Sequence, residues 1–255
     1  MACTSLAGVG KDCSGEGSHR SLAAGPLQAD VPTVHRLSQT LGRTNLHRGS
    51  LTEITLLIST EEDAMATVRE GNKSVMIVVD VQVGVMKEAW EAQRVINNVS
   101  RAVERARSEA VPVIWVQHSN QELPTGSVQW QWVPELVPAE GEALIQKKYN
   151  SSFERTSLES ELASLGATHI VLAGAATNWC IRATAYGALD RGYDLTLVGD
   201  AHTTESMQLD SGLKIDAETV IQELNVALKW LEYPGLKNGI ASADDIEFAV
   251  PRGIK

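Results

Sequence analysis

The chain has 255 residues with 22 basic and 32 acidic side chains, a net charge of −10, and 43% apolar residues. An acidic surplus gives no electrostatic reason to bind nucleic acid or an anionic membrane, and no apolar run approaches the roughly 18 residues of a membrane-crossing helix. Three cysteines, Cys3, Cys13 and Cys180, make no disulfide framework, so the expected setting is a reducing, cytoplasmic one.

In chain order, residues 1–72 stand apart. Met1 to Ser50 are rich in Gly, Ser, His and Arg and keep no strand or helix period. Arg20, Arg36, Arg43 and Arg48 would suit an organelle transit peptide. Glu53, Glu61, Glu62 and Asp63 argue against it, as does the absence of an amphipathic basic helix. The preferred reading is a disordered extension. Met65, a few residues ahead of the first clear strand, is a candidate start that would leave residues 1–64 without a folded role.

From Lys73 strands and helices alternate. Ser74–Asp80 reads as the first strand, and Val95, Ile96, Val99, Val103 and Ala106 lie at helical spacing. Val111–Gln117 is the second strand, followed by a long connection from His118 to Gly141 that carries Trp130 and Trp132. Ala143–Gln146 is a short third strand ending at Lys147, and Leu158, Leu162 and Leu165 mark a helix closed by Gly166. Ile170–Ala173 is a buried strand, Gly174–Trp179 a tight connection, and an Ala-rich helix begins at or just before Cys180. Asp194–Gly199 is a further strand, and a last helix runs from about Asp216 to Leu231. The stretch to Phe248 is expected as an edge strand, with 249–255 a tail. Such alternation implies an α/β fold over 73–248, a three-layer αβα sandwich around a mostly parallel sheet.

Ligands of such sheets bind beyond the carboxyl ends of strands. Asp80 closes the first strand, Lys147 closes the third, and Cys180 follows the fourth. Each alone has an ordinary explanation: a helix cap, a solvated lysine beside Lys148, a small buried apolar residue. Three reactive types at one sheet edge are harder to dismiss. A carboxylate can take the thiol proton and return it to a leaving amine, and an ammonium steadies both anions. A helix N-terminus would favour the thiolate. No histidine is required, and His118, His169 and His202 read as strand-end or surface residues.

Asp80-Val-Gln82, Lys147-Lys-Tyr-Asn-Ser-Ser-Phe-Glu-Arg-Thr156 and Gly174-Ala-Ala-Thr-Asn-Trp-Cys180, in that order, resemble the isochorismatase-like cysteine hydrolase family. That family includes nicotinamidases, carbamoyl-amide hydrolases and ureide hydrolases. The resemblance runs from about Ser74 to Phe248. It implies a Rossmann-like αβα fold, an Asp–Lys–Cys triad on Asp80, Lys147 and Cys180, and a cis peptide between Ala175 and Ala176. The N–H groups of Ala176 and Cys180 would form the oxyanion hole. Lys147 takes the lysine role ahead of Lys148 because it stands six positions before Phe153, as in the family pattern.

The departures matter too. Nicotinamidases hold a metal on an Asp-x-His pair and further histidines. Here only His118-Ser-Asn-Gln stands in that region, so no metal and no cofactor is expected. Gly84 and Val85 replace the aromatic that many members carry. Gln82, Trp130 and Trp179 are the expected substrate-binding residues, although Gln82 could only cap a strand end and the tryptophans, Trp132 with them, could only pack the long connection. Relatives are commonly oligomers, which implies a homo-oligomer. The reading is a hydrolase that cleaves a C–N bond of a small amide, carbamoyl or ureide substrate through a thioester. The rivals are a vinyl-ether hydrolase and a non-catalytic scaffold.

Overall fold

The computed structural model describes Arg69 and residues 71–248. The expectations for the N-terminal segment, including Met65, and for the tail after Phe248 lie outside the described residues.

Strand β1 (Lys73–Val79) is buried from Ser74 onward, which its unbroken apolar run requires of a strand covered on both faces. It pairs in parallel with β2 (Val113–His118) on one side and β4 (Ala167–Ala175) on the other. Beyond these lie β3 (Ala143–Lys147), β5 (Asp194–Thr203) and β8 (Asn238–Ala241), all parallel, in the order β3-β2-β1-β4-β5-β8. A two-strand hairpin of β6 (Met207–Gln208) and β7 (Lys214–Ile215) stands apart from the sheet.

Side-chain alternation divides the core into two layers. Val75, Ile77 and Val79 face α3 (Leu158–Ser164), α4 (Arg182–Leu189) and α5 (Ala217–Trp230) through Leu158, Leu162, Ala185, Leu224 and Leu228. Met76 and Val78 face α2 (Ala92–Ser108) through Val95, Val99 and Val103. The expected αβα sandwich is therefore the observed fold. A short helix, α1 (Val83–Met86), follows the first strand.

Three local differences bear on the site. Cys180 does not open an α-helix; it lies within a π-helical turn, Thr177–Ile181, that precedes α4. The expected C-terminal strand is only β8, and Ala243, Ile246 and Phe248 pack into the core as irregular chain. β5 runs on to Thr203, past the expected Gly199.

The chain crosses from β3 back to β4 on the far side of β1, so the switch in strand order falls between β1 and β4. Gly174 makes this junction close. Its φ is +126°, and a Cβ there would meet the Val79 carbonyl oxygen at 2.0 Å. Only glycine lets β4 lie this near the end of β1, which brings the turn carrying Cys180 to the residue that follows Val79.

Candidate active site

Asp80 is that residue. It turns the chain with φ +52°, donating its N–H to the Val116 carbonyl at 2.8 Å and accepting from the Gln82 N–H at 2.8 Å. The bend holds its carboxylate under the sheet edge, 1% exposed. Lys147 ends β3 and is likewise buried. Its Nζ stands 2.6 Å from Asp80 Oδ2 and 3.0 Å from Cys180 Sγ, with the Tyr149 carbonyl at 3.2 Å. The structure thus brings together the three residues that the sequence placed at separate strand ends. Lys148 is exposed and makes none of these contacts.

The electrostatics follow from burial and from the order of charges. Burial would lower the Lys147 pKa, but the Asp80 charge, the Cys180 sulfur and hydrogen bonds to both raise it above its ordinary value, so the group is an ammonium. Burial pushes the Cys180 thiol up to about 12, with the Asp80 charge adding to it. Lys147 pulls the other way and does not prevail. The surroundings of Cys180 therefore oppose the thiolate that a helix N-terminus would favour.

His118 ends β2, as a strand-end residue should, and also belongs to this cluster. It is the register partner of Lys147 in the β2–β3 pair, and its Nδ1 lies 3.3 Å from Nζ. Asp80, His118 and Cys180 each bring a ligand atom within 4.8 Å of the others. An ammonium only donates, so Nδ1 accepts and Nε2 carries the proton. Burial and the nearby Lys147 charge lower the His118 pKa, with Asp80 opposing, which keeps the ring neutral. The same three groups could approach one cation, but the Lys147 ammonium already fills the space between Asp80 and Cys180.

Gln82 is fully buried, and its amide is spent on backbone. Oε1 accepts from the His118 N–H at 2.9 Å, and Nε2 donates to the carbonyls of His118 at 3.0 Å and Trp130 at 2.8 Å. This clamp ties the end of β2 to the chain after β1, with each polar atom of the side chain bonded to backbone. The Trp130 carbonyl also accepts from Gln117 at 2.8 Å, so that residue is anchored through its backbone. Trp132 packs edge-on against the core residue Trp115, with ring centroids 5.4 Å apart. Trp179, next to Cys180 in the chain, is 53% exposed.

The peptide between Ala175 and Ala176 is cis. The Ala176 carbonyl accepts from the N–H groups of Trp179 and Ile181, both at 3.1 Å, which closes the turn around Cys180. Gly84 has a packing reason. A Cβ there would meet the Leu123 side chain at 2.5 Å, so the long connection packs directly against this residue.

His169 and His202 are not surface residues. His169 lies within β4, between Ser74 Oγ at 2.8 Å and Thr196 Oγ1 at 2.9 Å. His202 bridges Thr177 Oγ1 at 2.9 Å and Asn225 Oδ1 at 3.0 Å. Two satisfied ring nitrogens are what permit a histidine to be buried.

The family model described as "Isochorismatase domain" matches residues 74–212. The isochorismatase family protein YrdC of Bacillus subtilis (strain 168) is 29% identical over 155 residues, covering 58% of this chain and 83% of that protein. The ureidoacrylate amidohydrolase RutB of Klebsiella pneumoniae is 29% identical over 154 residues, covering 44% of this chain and 65% of RutB. Among solved structures, the N-carbamoylsarcosine amidase from Thermoplasma acidophilum superposes with a TM-score of 0.55 at 23% identity, covering 69% of this chain and 99% of that one. The family model spans more than half of the chain, over the same parallel sheet and switch point that carry Asp80 and Cys180, and the chain belongs to the isochorismatase family of hydrolases.

Proposed function

We propose that this hydrolase cleaves a C–N bond of a small amide, carbamoyl or ureide compound through a thioester on Cys180. The observation that carries the reading is one buried ammonium in contact with both a carboxylate and a thiol, Lys147 Nζ at 2.6 Å from Asp80 and 3.0 Å from Cys180. A relative that is a ureidoacrylate amidohydrolase supports it.

In the proposed cycle the Asp80 carboxylate takes the thiol proton as Sγ attacks the carbonyl carbon. A thiol at about 12 gives little free thiolate at neutral pH, so proton transfer accompanies attack. The oxyanion rests on the N–H groups of Ala176 and Cys180. Asp80 then returns the proton to the leaving nitrogen, the C–N bond breaks, and the acyl or carbamoyl group stays on sulfur. Water adds next, losing its proton to Asp80. The intermediate expels the sulfur, which recovers that proton. Lys147 remains an ammonium throughout, and Trp179 and Trp130 wall the substrate. A reducing cytoplasm, which preserves the thiol, and a homo-oligomeric state go with this reading.

The test is ammonia release from a panel of small amides, ureides and carbamoyl compounds by wild type and Cys180→Ala. Turnover that vanishes with the thiol upholds the proposal. Turnover at wild-type rate in the alanine variant overturns it, and would favour the vinyl-ether chemistry in which Asp80 acts as an acid alone.

A further inference from the structure

The end of β5 grips the turn that carries Cys180. His202 and Thr203 pair in register with Gly174 and Ala175, the last residues of β4 before that turn. Two side chains from this strand end then reach the turn at successive positions. His202 Nδ1 lies 2.9 Å from Thr177 Oγ1, and Thr204 Oγ1 donates to Asn178 Oδ1 at 2.6 Å.

The other side of the His202 ring is tied to α5. Asn225 donates from Nδ2 to the Gly199 carbonyl at 3.0 Å, which leaves its Oδ1 facing His202 Nε2 at 3.0 Å. An amide oxygen only accepts, so Nε2 carries the ring proton. Burial keeps the ring neutral, and Nδ1 therefore accepts from the Thr177 hydroxyl. Thr177, His202 and Asn225 are all buried. An apolar filling of the same shape would be about as stable; what a satisfied polar relay adds is fixed direction and distance.

Thr177 is where that direction matters. Its carbonyl accepts the Arg182 N–H across the turn, and the Ala176 carbonyl beside it accepts from Trp179 and Ile181. Cys180 is enclosed by these bonds, with Sγ 3.0 Å from Lys147 Nζ on a different strand. A turn that slips against β5 carries the sulfur off its cation.

We propose that His202 is a positioning residue for the nucleophile: through Thr177 it holds the turn so that Cys180 Sγ stays on Lys147 Nζ, with Asn225 as its anchor. The proposal rests on the cysteine-hydrolase reading for its catalytic meaning, but the placement of the thiol does not need turnover. Burial and Asp80 raise the thiol pKa whereas Lys147 lowers it, so a sulfur that leaves the lysine yields less thiolate. Each pKa unit is about tenfold in thiolate.

The experiment follows alkylation of Cys180 by iodoacetamide in the full-length protein, read by mass spectrometry on the Cys180 peptide between about pH 7 and about pH 10, with urea midpoints in parallel. Thr177→Val removes the hydroxyl and keeps the shape, and Thr177→Ser restores it. Val103→Ala, in the opposite layer of the core, reports what lost stability does alone. The valine variant is expected to react about tenfold more slowly at each pH, with the serine variant recovering most of the rate and Val103→Ala reacting as wild type. Asn225→Leu, which removes the anchor without touching the turn, should slow alkylation likewise and serves as the test should Thr177→Val fail to fold. Wild-type or faster alkylation in these variants, or a folded serine variant that recovers nothing, overturns the positioning role. Ammonia release from the amide, ureide and carbamoyl panel separates the two ideas. Slowed alkylation without thiol-dependent release in the wild type keeps the positioning and removes the hydrolase reading, whereas thiol-dependent release with alkylation unchanged by Thr177→Val does the reverse.

Discussion

Removing the Asp80 carboxylate tests the electrostatics of the site apart from any substrate. Lys147 is an ammonium because Asp80 and Cys180 outweigh a burial that would by itself lower its pKa. In a Cys180→Ala background the thiol drops out, and Asp80→Asn then leaves the cation without an anionic partner. Breaking a buried pair from one side costs about 3–5 kcal/mol. The sign with pH follows from the lysine. With Asp80 and Cys180 both present its folded pKa lies above the unfolded value, so the wild-type pair's contribution is fully present below about pH 10.4 and is lost only as pH rises through the folded pKa. In the asparagine variant burial rules, and the folded pKa falls below the unfolded value. Stability is then restored as pH rises between the two.

Urea unfolding of the two proteins at about pH 7 and about pH 9.5 should therefore show a gap of about 3–5 kcal/mol that narrows at the higher pH. Adding Lys147→Met to the asparagine variant should recover most of it, since no buried charge then remains. A gap that is constant or widens with pH, with no recovery in the triple variant, would refute the argument that the ion pair is held by mutual compensation.

Three further outcomes are expected. Gly174→Ala should destabilise by roughly 3 kcal/mol or more, because its Cβ would fall 2.0 Å from the Val79 oxygen at a left-handed φ; an unchanged urea midpoint would show that β4 can shift without cost. His202, lowered to about 4 mainly by burial, should make stability fall as pH drops from about 6.5 to 4, by at most about 3 kcal/mol, and His202→Asn should flatten that slope in acid unfolding curves. Trp179→Ala should raise KM of any substrate found while leaving the urea midpoint in place, since the ring is 53% exposed; an unaltered KM would remove it from the site.

How much of this is legible in the sequence depends on whether a residue's role is local or comes from pairing. β1 announces itself because Val75–Val79 is buried on both faces and so must be apolar throughout. β3 does not. Leu144 is 60% exposed whereas Lys147 is buried, the reverse of what their side chains suggest, and only the motif spacing from Lys147 to Phe153 singles out the right lysine. His118 escapes a sequence reading because its place arises from the β2–β3 register, which sets it opposite Lys147 and which neither strand encodes alone. The Gln82 clamp is equally hidden, since its partners are main-chain groups 36 and 48 positions away. The π-helical turn reads as ordinary helix in the sequence, which suggests a helix-dipole stabilisation of the thiolate that the surroundings of Cys180 outweigh.

That last difference changes how the chemistry is understood. A cysteine primed by a dipole would carry its charge before substrate arrives, and burial here opposes that. The negative charge waits on Asp80 instead, already paired with the ammonium at 2.6 Å. In the proposed cycle, passage of the proton from sulfur to carboxylate moves the anion to an atom that the same ammonium meets at 3.0 Å. Lys147 need not travel, because one fixed cation serves both ends of the transfer, and little reorganisation is needed as the charge moves. Its position is set by elements around it, the Tyr149 carbonyl at 3.2 Å and the His118 ring at 3.3 Å, with the His118 backbone clamped in turn by Gln82. On the proposed cycle charge is handed between two groups whose common partner is fixed by the sheet edge, and the thiol keeps its proton until a carbonyl is there to receive the sulfur.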